Sequence, residues 1–343
     1  MKKKKSTSVF DRFLLLINFL VVMILLVAYI LPYTSPIKAP ILAVVSLLFQ
    51  LVFVINILFI IFWVIRRKRY AFLSILAFAL GFGYINSIYK LSAEEQIQQG
   101  DLSLMSYNVR MFNHYQWSSS DSIAEKASHF IQTQSPDILS IQEYYNDPRA
   151  QFAYPYSYVK MKSKTHKFGL AIYSTFPIIS SGSLEFDSSS NNIIFADVVI
   201  KKDTVRVYNV HLESLGLNPN KENFGERDSD QLINRMKSAF KKQGIQTEKF
   251  LNFQKQWKGK SIVMGDFNNT AFSWVFKKIS NHRQDAFREA GKGIGSTFDY
   301  SYPLRIDFIL PDMDFEIHYF KTFDRDYSDH FPIMAKLSIK NSL

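Results

Sequence analysis

Hydrophobic positions in the first part of the chain form three long runs that contain no charged side chain. The runs cover residues 13–33, 39–65 and 70–89. Each run reaches or exceeds about 20 apolar residues, the length that crosses a bilayer core as a helix. The pattern therefore predicts a membrane anchor over residues 1–91 with three transmembrane helices, followed by a polar linker over residues 92–101.

The first run also has the charged start that is typical of a signal peptide, in Lys2 to Lys5. Its apolar stretch is longer than the core of such a peptide, and no small-residue cleavage pattern follows it. We therefore expect an uncleaved helix, with cleavage as the alternative. Because no run carries a charged residue in its middle, the sequence favours a simple anchor over a transport function.

After the linker, the pattern changes to short apolar runs that are typical of strands, interrupted by a few amphipathic helices. The predicted strands cover residues 102–107, 137–141, 169–173, 193–200, 205–210, 261–264, 306–310 and 333–339. The predicted helices cover residues 121–134, 230–253 and 271–279. Strands outnumber helices and the two are mixed, which predicts an α/β layered sandwich over residues 102–343 rather than a regularly alternating parallel sheet.

The net charge of +11 is concentrated in the anchor, where the first 100 residues hold 11 Lys or Arg and 3 Asp or Glu. Lys2 to Lys5 precede the first run, and Arg66 to Arg69 separate the second from the third. Because cytoplasmic loops are enriched in Lys and Arg, three crossings place the N-terminus inside and residues 102–343 outside. For a bacterial-looking chain, this predicts the periplasmic side of an inner membrane. The absence of cysteine excludes disulfides and thiolate metal sites.

Polar residues that suit phosphate chemistry stand at the ends of the short apolar runs. They are Asn108, Arg110, Glu143, His211, Asp266, Asn268, Asp307, Asp329 and His330. Carboxylate and amide oxygens are the ligands that a hard cation such as Mg²⁺ prefers. Histidine can carry a proton near neutral pH. The set therefore predicts hydrolysis of a phosphate ester with the help of a hard metal ion.

Glu143 is the principal candidate for a metal ligand because it follows the predicted buried strand Ile138–Ile141. A carboxylate at that position is costly unless it is paired or bound to a metal ion. A solvated surface charge is the alternative.

Asp266 and Asn268 flank Phe267, so in an extended segment both side chains point to the same side. A turn is the alternative, because Gly265-Asp266 and Asn268-Asn269 are turn-forming pairs. Together with the rest of the set, the pattern favours a site.

Six ordered blocks of residues carry a resemblance to a known superfamily. They are Asn108 with Arg110, Gln142-Glu143, Asn209-Val210-His211, Gly265-Asp266-Phe267-Asn268, Arg305-Ile306-Asp307 and Ser328-Asp329-His330. In these blocks the chain resembles the endonuclease/exonuclease/phosphatase superfamily, whose members include pancreatic-type deoxyribonucleases, neutral sphingomyelinases and inositol polyphosphate phosphatases. The resemblance implies a four-layer α/β sandwich, in which two packed mixed β-sheets are flanked by helices and the site lies at one edge.

The resemblance also implies how the substrate and a metal ion are held. Glu143 would be the principal ligand of Mg²⁺, helped by Asn108 and Asp329, and Mn²⁺ is an alternative ion. Asn108 and Arg110 would also bind the substrate phosphate.

The remaining residues of the set receive catalytic roles from the same resemblance. Asp266 and Asn268 would orient or activate the attacking water, and Asn268 would also hold the phosphate. His330, oriented by Asp307, would bind and stabilise the phosphoryl oxygens. His211 would be a second phosphate partner or the acid for the leaving group. In pancreatic-type nucleases a carboxylate supports this last histidine, but the corresponding residues 167–171 contain no acid.

The substrate stays open at this stage. Nuclease action is placed first because it is the commonest role in the superfamily, although residues 102–343 lack the strong basic footprint of duplex binders. Hydrolysis of lipid headgroups, as a phosphodiesterase or phosphatase, is the close alternative because the anchor holds the domain at a bilayer. A non-catalytic membrane-tethered binding domain is the third alternative. No obligate protein partner is evident. The polar segment 214–227 and the aromatic residues Trp117, Tyr144 and Tyr145 are candidates for substrate contacts, with ordinary packing as the alternative.

Overall fold

The computed structural model describes residues 8–91, 101–162, 168–187, 189–216, 226–300 and 302–340. Residues 92–100 of the predicted linker and residues 217–225 of the segment 214–227 lie outside the described residues.

Helices and strands in the described residues are as follows. The helices are α1 (Val9–Ala28), α2 (Pro40–Ser46), α3 (Phe49–Ile65), α4 (Ala71–Leu80), α5 (Ile85–Ile88), α6 (Ile123–Gln134), α7 (Glu226–Gln254), α8 (Trp274–Ile279) and α9 (Ala286–Ala290). The strands are β1 (Leu102–Asn108), β2 (Ile138–Tyr145), β3 (Tyr156–Met161), β4 (Phe168–Ser174), β5 (Ile178–Glu185), β6 (Asn192–Ile200), β7 (Asp203–His211), β8 (Ser261–Asp266), β9 (Asp307–Pro311), β10 (Phe315–Thr322) and β11 (Ile333–Ile339).

The strands form two mixed sheets that pack face to face. The six-stranded sheet has the order β10-β11-β1-β2-β4-β3, and the five-stranded sheet has the order β5-β6-β7-β8-β9. Apolar side chains from both inner faces, such as Leu104 and Ile138 from one sheet and Val207 and Met264 from the other, form one buried core. The predicted α/β sandwich is therefore confirmed.

Helices cover the two outer faces of this pair of sheets. Residues of α6 such as Ala127 and Ile131 pack on β1, β2 and β4. On the other side, Phe250 of α7 and Val275 of α8 pack on β7, β8 and β9. Successive residues of a strand face opposite sides. In β1, Leu104 accordingly faces the second sheet while its neighbour faces α6.

All of the strands predicted from the sequence are present, but β3, β5 and β10 were not predicted. Each of these three lies at the edge of its sheet. Their residues are largely exposed or half-buried, as the burial of β3 illustrates. These three strands bury little apolar surface, so their sequences lack the apolar run that identified the others, including β9, which lies at an edge but is fully buried.

The anchor contains one helix that is long and apolar enough to cross a membrane by itself, the segment Val9–Tyr33. The other two predicted spans are bent helix pairs. Pro40–Ser46 and Phe49–Ile65 meet at 50°, and Ala71–Leu80 and Phe82–Ile88 meet at 60°. Within the described residues the structure therefore has one continuous candidate span rather than the three predicted, or up to three if each bent pair counts as one span. The first bend arises where α2 leaves the bundle and packs against α7 of the sandwich.

The second bend follows Gly81, at a close approach between two segments. A Cβ atom on Gly81 would collide with the ring and hydroxyl of Tyr29. The Tyr29 hydroxyl donates a hydrogen bond to the carbonyl oxygen of Ala77, at 3.0 Å. The tyrosine thereby occupies the space into which a side chain at position 81 would point.

Polar side chains tie α1, α3 and α4 together. Asn18 donates to Ser74 at 2.7 Å and accepts from the indole nitrogen of Trp63 at 2.8 Å. At one end of the bundle, Asp11 pairs with Arg66 at 2.7 Å and with Lys68 at 3.2 Å. The start of α1 and the basic residues that follow α3 therefore lie at the same end of the bundle.

The opposite end of the bundle packs directly on the sandwich. The ring of Phe272 stacks on that of Phe49 with centroids 4.2 Å apart, and it also contacts Tyr84. Lys90 and Gly293 exchange two backbone hydrogen bonds, at 3.0 and 2.8 Å. The anchor and the sandwich consequently share one apolar cluster.

Candidate active site

Strand directions explain why the candidate residues meet at one edge of the sandwich. β1 and β2 run parallel, as do β7 and β8, so Asn108, Glu143, His211 and Asp266 all stand at carboxyl ends. β9 and β11 run antiparallel to these strands, and they begin at or after Asp307 and the Asp329-His330 pair. The structure thus brings together all of the residues that the sequence singled out.

Asp266 lies at the centre of this group and is fully buried. Its carboxylate accepts hydrogen bonds from the side-chain amide of Asn108 at 3.0 Å and the backbone N–H of Asn268 at 2.7 Å. The side-chain amide of Asn268 donates a third, at 3.1 Å. Burial raises the pKa of Asp266 above its ordinary value, although the nearby charge of His330 opposes this rise.

His330 and Asp307 form a buried pair, with Nδ1 of the imidazole 3.0 Å from Oδ2 of the carboxylate. Nε2 of His330 points towards Asp266, at 3.7 Å. Burial alone would lower the pKa of His330, but the charges of Asp307, Asp266 and Asp329 outweigh it and raise the pKa above the ordinary histidine value. The imidazole is therefore charged at neutral pH.

His211 contrasts with His330 in its electrostatics. Its Nε2 lies 3.6 Å from Asp266 and 3.9 Å from Glu143, and it has no hydrogen-bond partner among the described residues. Burial lowers the pKa of His211 to about 3, and the positive charge of His330 adds to this effect. The site therefore contains one neutral and one charged imidazole at neutral pH.

Glu143 is aimed into the site by an irregularity in β2. The register with β4 shifts between Ile141 and Tyr144, and Glu143 has a φ of 49°. A bulge of this kind bends the strand and redirects a side chain, and it is frequent beside active sites. Burial raises the pKa of Glu143, and the charge of Asp329 raises it further. The charge of His330, the amide of Asn108 and the charge of Arg110 offset this rise only in part, and a metal ion bound here would add further positive charge.

Asn108 and Arg110 connect β1 to the loop that precedes β11. The amide nitrogen of Asn108 faces Glu143 at 3.4 Å, while its oxygen accepts the backbone N–H of Arg110 at 3.1 Å. The guanidinium of Arg110 lies 3.2 Å from Asp329. Residues 110–113 all have positive φ, so this turn is strained.

Two neighbouring groups of ligand atoms at this edge of the sandwich fit a hard divalent cation. Glu143, Asp329 and Asn108 supply the oxygens that the sequence predicts as ligands. Asp266, Asp307 and His330 also offer ligand atoms that lie within 4.8 Å of one another. In this second group, Nδ1 of His330 is already engaged by Asp307. The oxygen-rich side around Glu143 is therefore the better match to a cation such as Mg²⁺.

Supporting contacts that the sequence did not reveal fix the segment before β9, although Arg305 itself belongs to one of the six blocks. Arg305 and Asp285 form a buried bidentate ion pair at 3.0 and 2.9 Å. The hydroxyl of Thr297 accepts the backbone N–H groups of Ile306 and Asp307, each at 3.0 Å. These contacts join positions that are distant in sequence, so no local sequence pattern predicts them.

The aromatic candidates have mixed surroundings. Tyr144 is buried in the core beneath α6, as the packing alternative supposed. Tyr145 stacks on His114 with centroids 4.1 Å apart. Trp117 packs against the guanidinium of Arg110 at 4.9 Å, so it lies beside a candidate phosphate ligand.

Two family models match the chain. Residues 105–330 match the "Endonuclease/Exonuclease/phosphatase family", and residues 11–88 match a "Domain of unknown function (DUF8431)". No curated protein matches the chain in sequence.

Solved structures with the same fold resemble the sandwich at low sequence identity. An endonuclease/exonuclease/phosphatase from Bacteroides vulgatus has a TM-score of 0.53 and 18% identity, over 71% of this chain and 100% of that one. Truncated TDP2 from Caenorhabditis elegans has a TM-score of 0.50 and 18% identity, over 71% and 99%. A mannosyl-6-phosphatase from Bacteroides thetaiotaomicron has a TM-score of 0.50 and 16% identity, over 69% and 100%. By the family match over most of its length, this chain belongs to the endonuclease/exonuclease/phosphatase family.

Proposed function

We propose that this protein is a membrane-anchored hydrolase of phosphate esters that depends on a divalent metal ion, Mg²⁺ or Mn²⁺. The observation that carries the proposal is the meeting of a buried carboxylate, Asp266, with Glu143 and the imidazoles of His211 and His330 at one edge of the sandwich. Burial raises the pKa values of both Asp266 and Glu143, which is a cost that a polar cluster with only a structural role would not require. The neighbouring TDP2 and mannosyl-6-phosphatase structures support the fold of such a hydrolase.

Glu143, Asp329 and Asn108 would hold the metal ion. When bound, the ion would neutralise negative charge that develops on the phosphoryl oxygens. For Asn108 this role requires the side-chain amide to turn, because its oxygen now accepts the N–H of Arg110. The guanidinium of Arg110 would contact the substrate phosphate from the side of Asp329.

Asp266 would accept the proton of the attacking water, and Asn268 would hold this water in place. A general base works best when its pKa approaches the working pH. The raised pKa of Asp266 moves it in that direction. Water then adds its hydroxyl to phosphorus, and the bond to the leaving oxygen breaks.

The two histidines would act on different oxygens. His330, held charged by Asp307, would stabilise the non-bridging oxygens of the transition state. His211 is neutral at neutral pH because of its lowered pKa, so it would act as a hydrogen-bonding partner of the phosphate. A role as the acid for the leaving group would require the bound substrate to raise this pKa.

The orientation in the membrane is also a proposal. Helix α3 begins at Phe49, which stacks on the sandwich, and it ends beside Arg66, which pairs with Asp11. If the bent pairs each count as one crossing, the basic residues lie on the cytoplasmic side and the sandwich lies on the periplasmic side of the inner membrane.

Nuclease activity, the first choice from the sequence, stays a prediction. The discriminating experiment offers the full chain, in nanodiscs with Mg²⁺, plasmid DNA, RNA, sphingomyelin, phosphoinositides and a generic phosphodiester. The non-catalytic alternative has less support because every residue of the candidate set lies within the site.

Replacing Glu143 by Gln should lower turnover of the preferred substrate by at least about 100-fold, a loss typical of removing a key electrostatic element. The substitution keeps the size of the side chain but removes the charge that attracts the metal ion. The measurement is the initial rate over a Mg²⁺ titration, with Glu316→Gln on an exposed face of β10 as the matched control. Turnover like that of the wild type at low Mg²⁺ would refute the role of Glu143.

Asp307 and His330 should behave as one unit. Asp307→Ala and His330→Ala should each reduce kcat strongly, and the double variant should cost little more than the worse single one. Because Asp307 raises the pKa of His330, Asp307→Asn should move the alkaline limb of the pH profile to lower pH. His129→Ala, at an exposed position, serves as the control. Fully additive losses and an unmoved alkaline limb would mean that the two residues act separately.

Reporter fusions test the orientation. A phosphatase reporter, which is active only after export, should be active when fused after Leu343 and silent when fused after Arg69. The physical reason is that the basic clusters stay in the cytoplasm. The opposite pattern would place the sandwich in the cytoplasm.

A further inference from the structure

The cavity at the active site has a polar floor and an apolar wall. Its floor consists of the site residues around Asp266 and Glu143. The wall consists of Leu47, Leu215, Phe298, Leu304 and Ile306. The ring of Phe298 lies 4.9 Å from that of His330, so the wall begins directly beside the reacting groups.

One residue of this wall, Leu47, comes from the membrane anchor rather than from the sandwich. It lies at the bend between α2 and α3 and is 6% exposed. Leu47 packs in a cluster with Leu215 and Phe240. Its carbonyl oxygen accepts a hydrogen bond from the hydroxyl of Tyr302, at 3.3 Å. The bend of the anchor is thus fixed against the mouth of the active site.

The surface that faces lipid begins one residue after Leu47. Leu48, Leu51 and Leu58 on α3 are 47%, 52% and 58% exposed. Apolar faces of this kind on a membrane helix contact acyl chains. If α3 crosses a bilayer as proposed, the mouth of the active site would lie close to the end of that crossing.

The size of the cavity limits what can enter it. Its volume of about 70 Å³ is far below the several hundred cubic ångströms that enclose a whole small-molecule ligand. The cavity accepts a phosphoryl group, while the rest of the substrate stays outside along the wall. A lipid phosphate would place the alkyl part nearest its phosphate against this apolar wall. A nucleic-acid strand would have to pass between the sandwich and the membrane surface.

We propose that the anchor forms part of the active site, and that Leu47 selects a phosphate ester carried by a membrane lipid. The inference rests on the proposed phosphoesterase activity and names the substrate class of that same site. Hydrolysis adds water across the phosphorus–oxygen bond, with the hydroxyl going to phosphorus and the proton to the leaving oxygen. The alkyl part of the lipid that lies next to the phosphate contacts Leu47 and the other apolar residues of the wall.

A set of three chromogenic diesters tests this inference. The esters are methyl, dodecyl and thymidine 5′ p-nitrophenyl phosphate, which share the reacting phosphate and the leaving group. The full chain in nanodiscs with Mg²⁺ should prefer the dodecyl ester over the methyl ester by at least about tenfold in kcat/KM, which corresponds to burying roughly two methylene groups.

Variants at the bend separate selection by the wall from simple partitioning into the bilayer. Leu47→Gln should reduce the dodecyl-to-methyl ratio by about tenfold, and Leu47→Met should retain most of it, because methionine restores an apolar contact. Leu48→Gln is the matched control and should leave the ratio unchanged, since Leu48 faces lipid rather than the cavity.

The outcomes distinguish failure of the inference from failure of the proposed function. If the wild type cleaves neither the three diesters nor the monoester p-nitrophenyl phosphate, the phosphoesterase proposal itself fails. If it cleaves only the monoester, the predicted preference for the dodecyl diester is wrong. If it cleaves the diesters but favours the thymidine ester, or if Leu47→Gln and Leu48→Gln give the same ratio, the role of the anchor in selection is wrong.

Discussion

The burial of one carboxylate, Asp266, is the constraint on which the site depends. A buried charge without partners costs several kcal/mol, so the fold must bring donors to it. Asn108 from β1 and Asn268 from the loop after β8 supply them, and His330 lies nearby. Gly265 makes this possible, because a Cβ there would collide with the backbone of Val210 in the neighbouring strand. Because Asn108 ends a strand of one sheet and Asn268 follows a strand of the other, the two sheets must keep their alignment for both donors to reach the carboxylate of Asp266.

Much of this arrangement could be predicted from the sequence because strand ends carry a local signal. A polar residue that closes an apolar run marks such an end, and parallel strands bring their ends to the same edge of a sheet. Glu143 was identified in this way. The direction of its side chain was not predicted, because the bulge and the positive φ at this residue depend on the pairing of β2 with β4. The ion pair of Arg305 with Asp285 was missed for the same reason, since it forms only in the folded chain.

The anchor shows the limit of composition as a guide. The second apolar run has the length of a span, yet it bends at Leu47, and the part before the bend packs on α7. Nothing within an apolar run distinguishes residues that face lipid from residues that face another part of the protein. The sequence placed nuclease action first because it is the commonest role in the superfamily, whereas the position of Leu47 in the wall of the cavity supports the proposed lipid substrate.

The location of the metal ion tests the central claim most directly. Crystals of the full chain grown with Mn²⁺ would reveal the ion by its anomalous scattering. The account predicts a peak bonded to the carboxylate of Glu143, on the side of Asp329, with the contact between His330 and Asp307 intact. A peak bonded instead to Asp266, Asp307 and His330, or no peak at this edge of the sandwich, would contradict it.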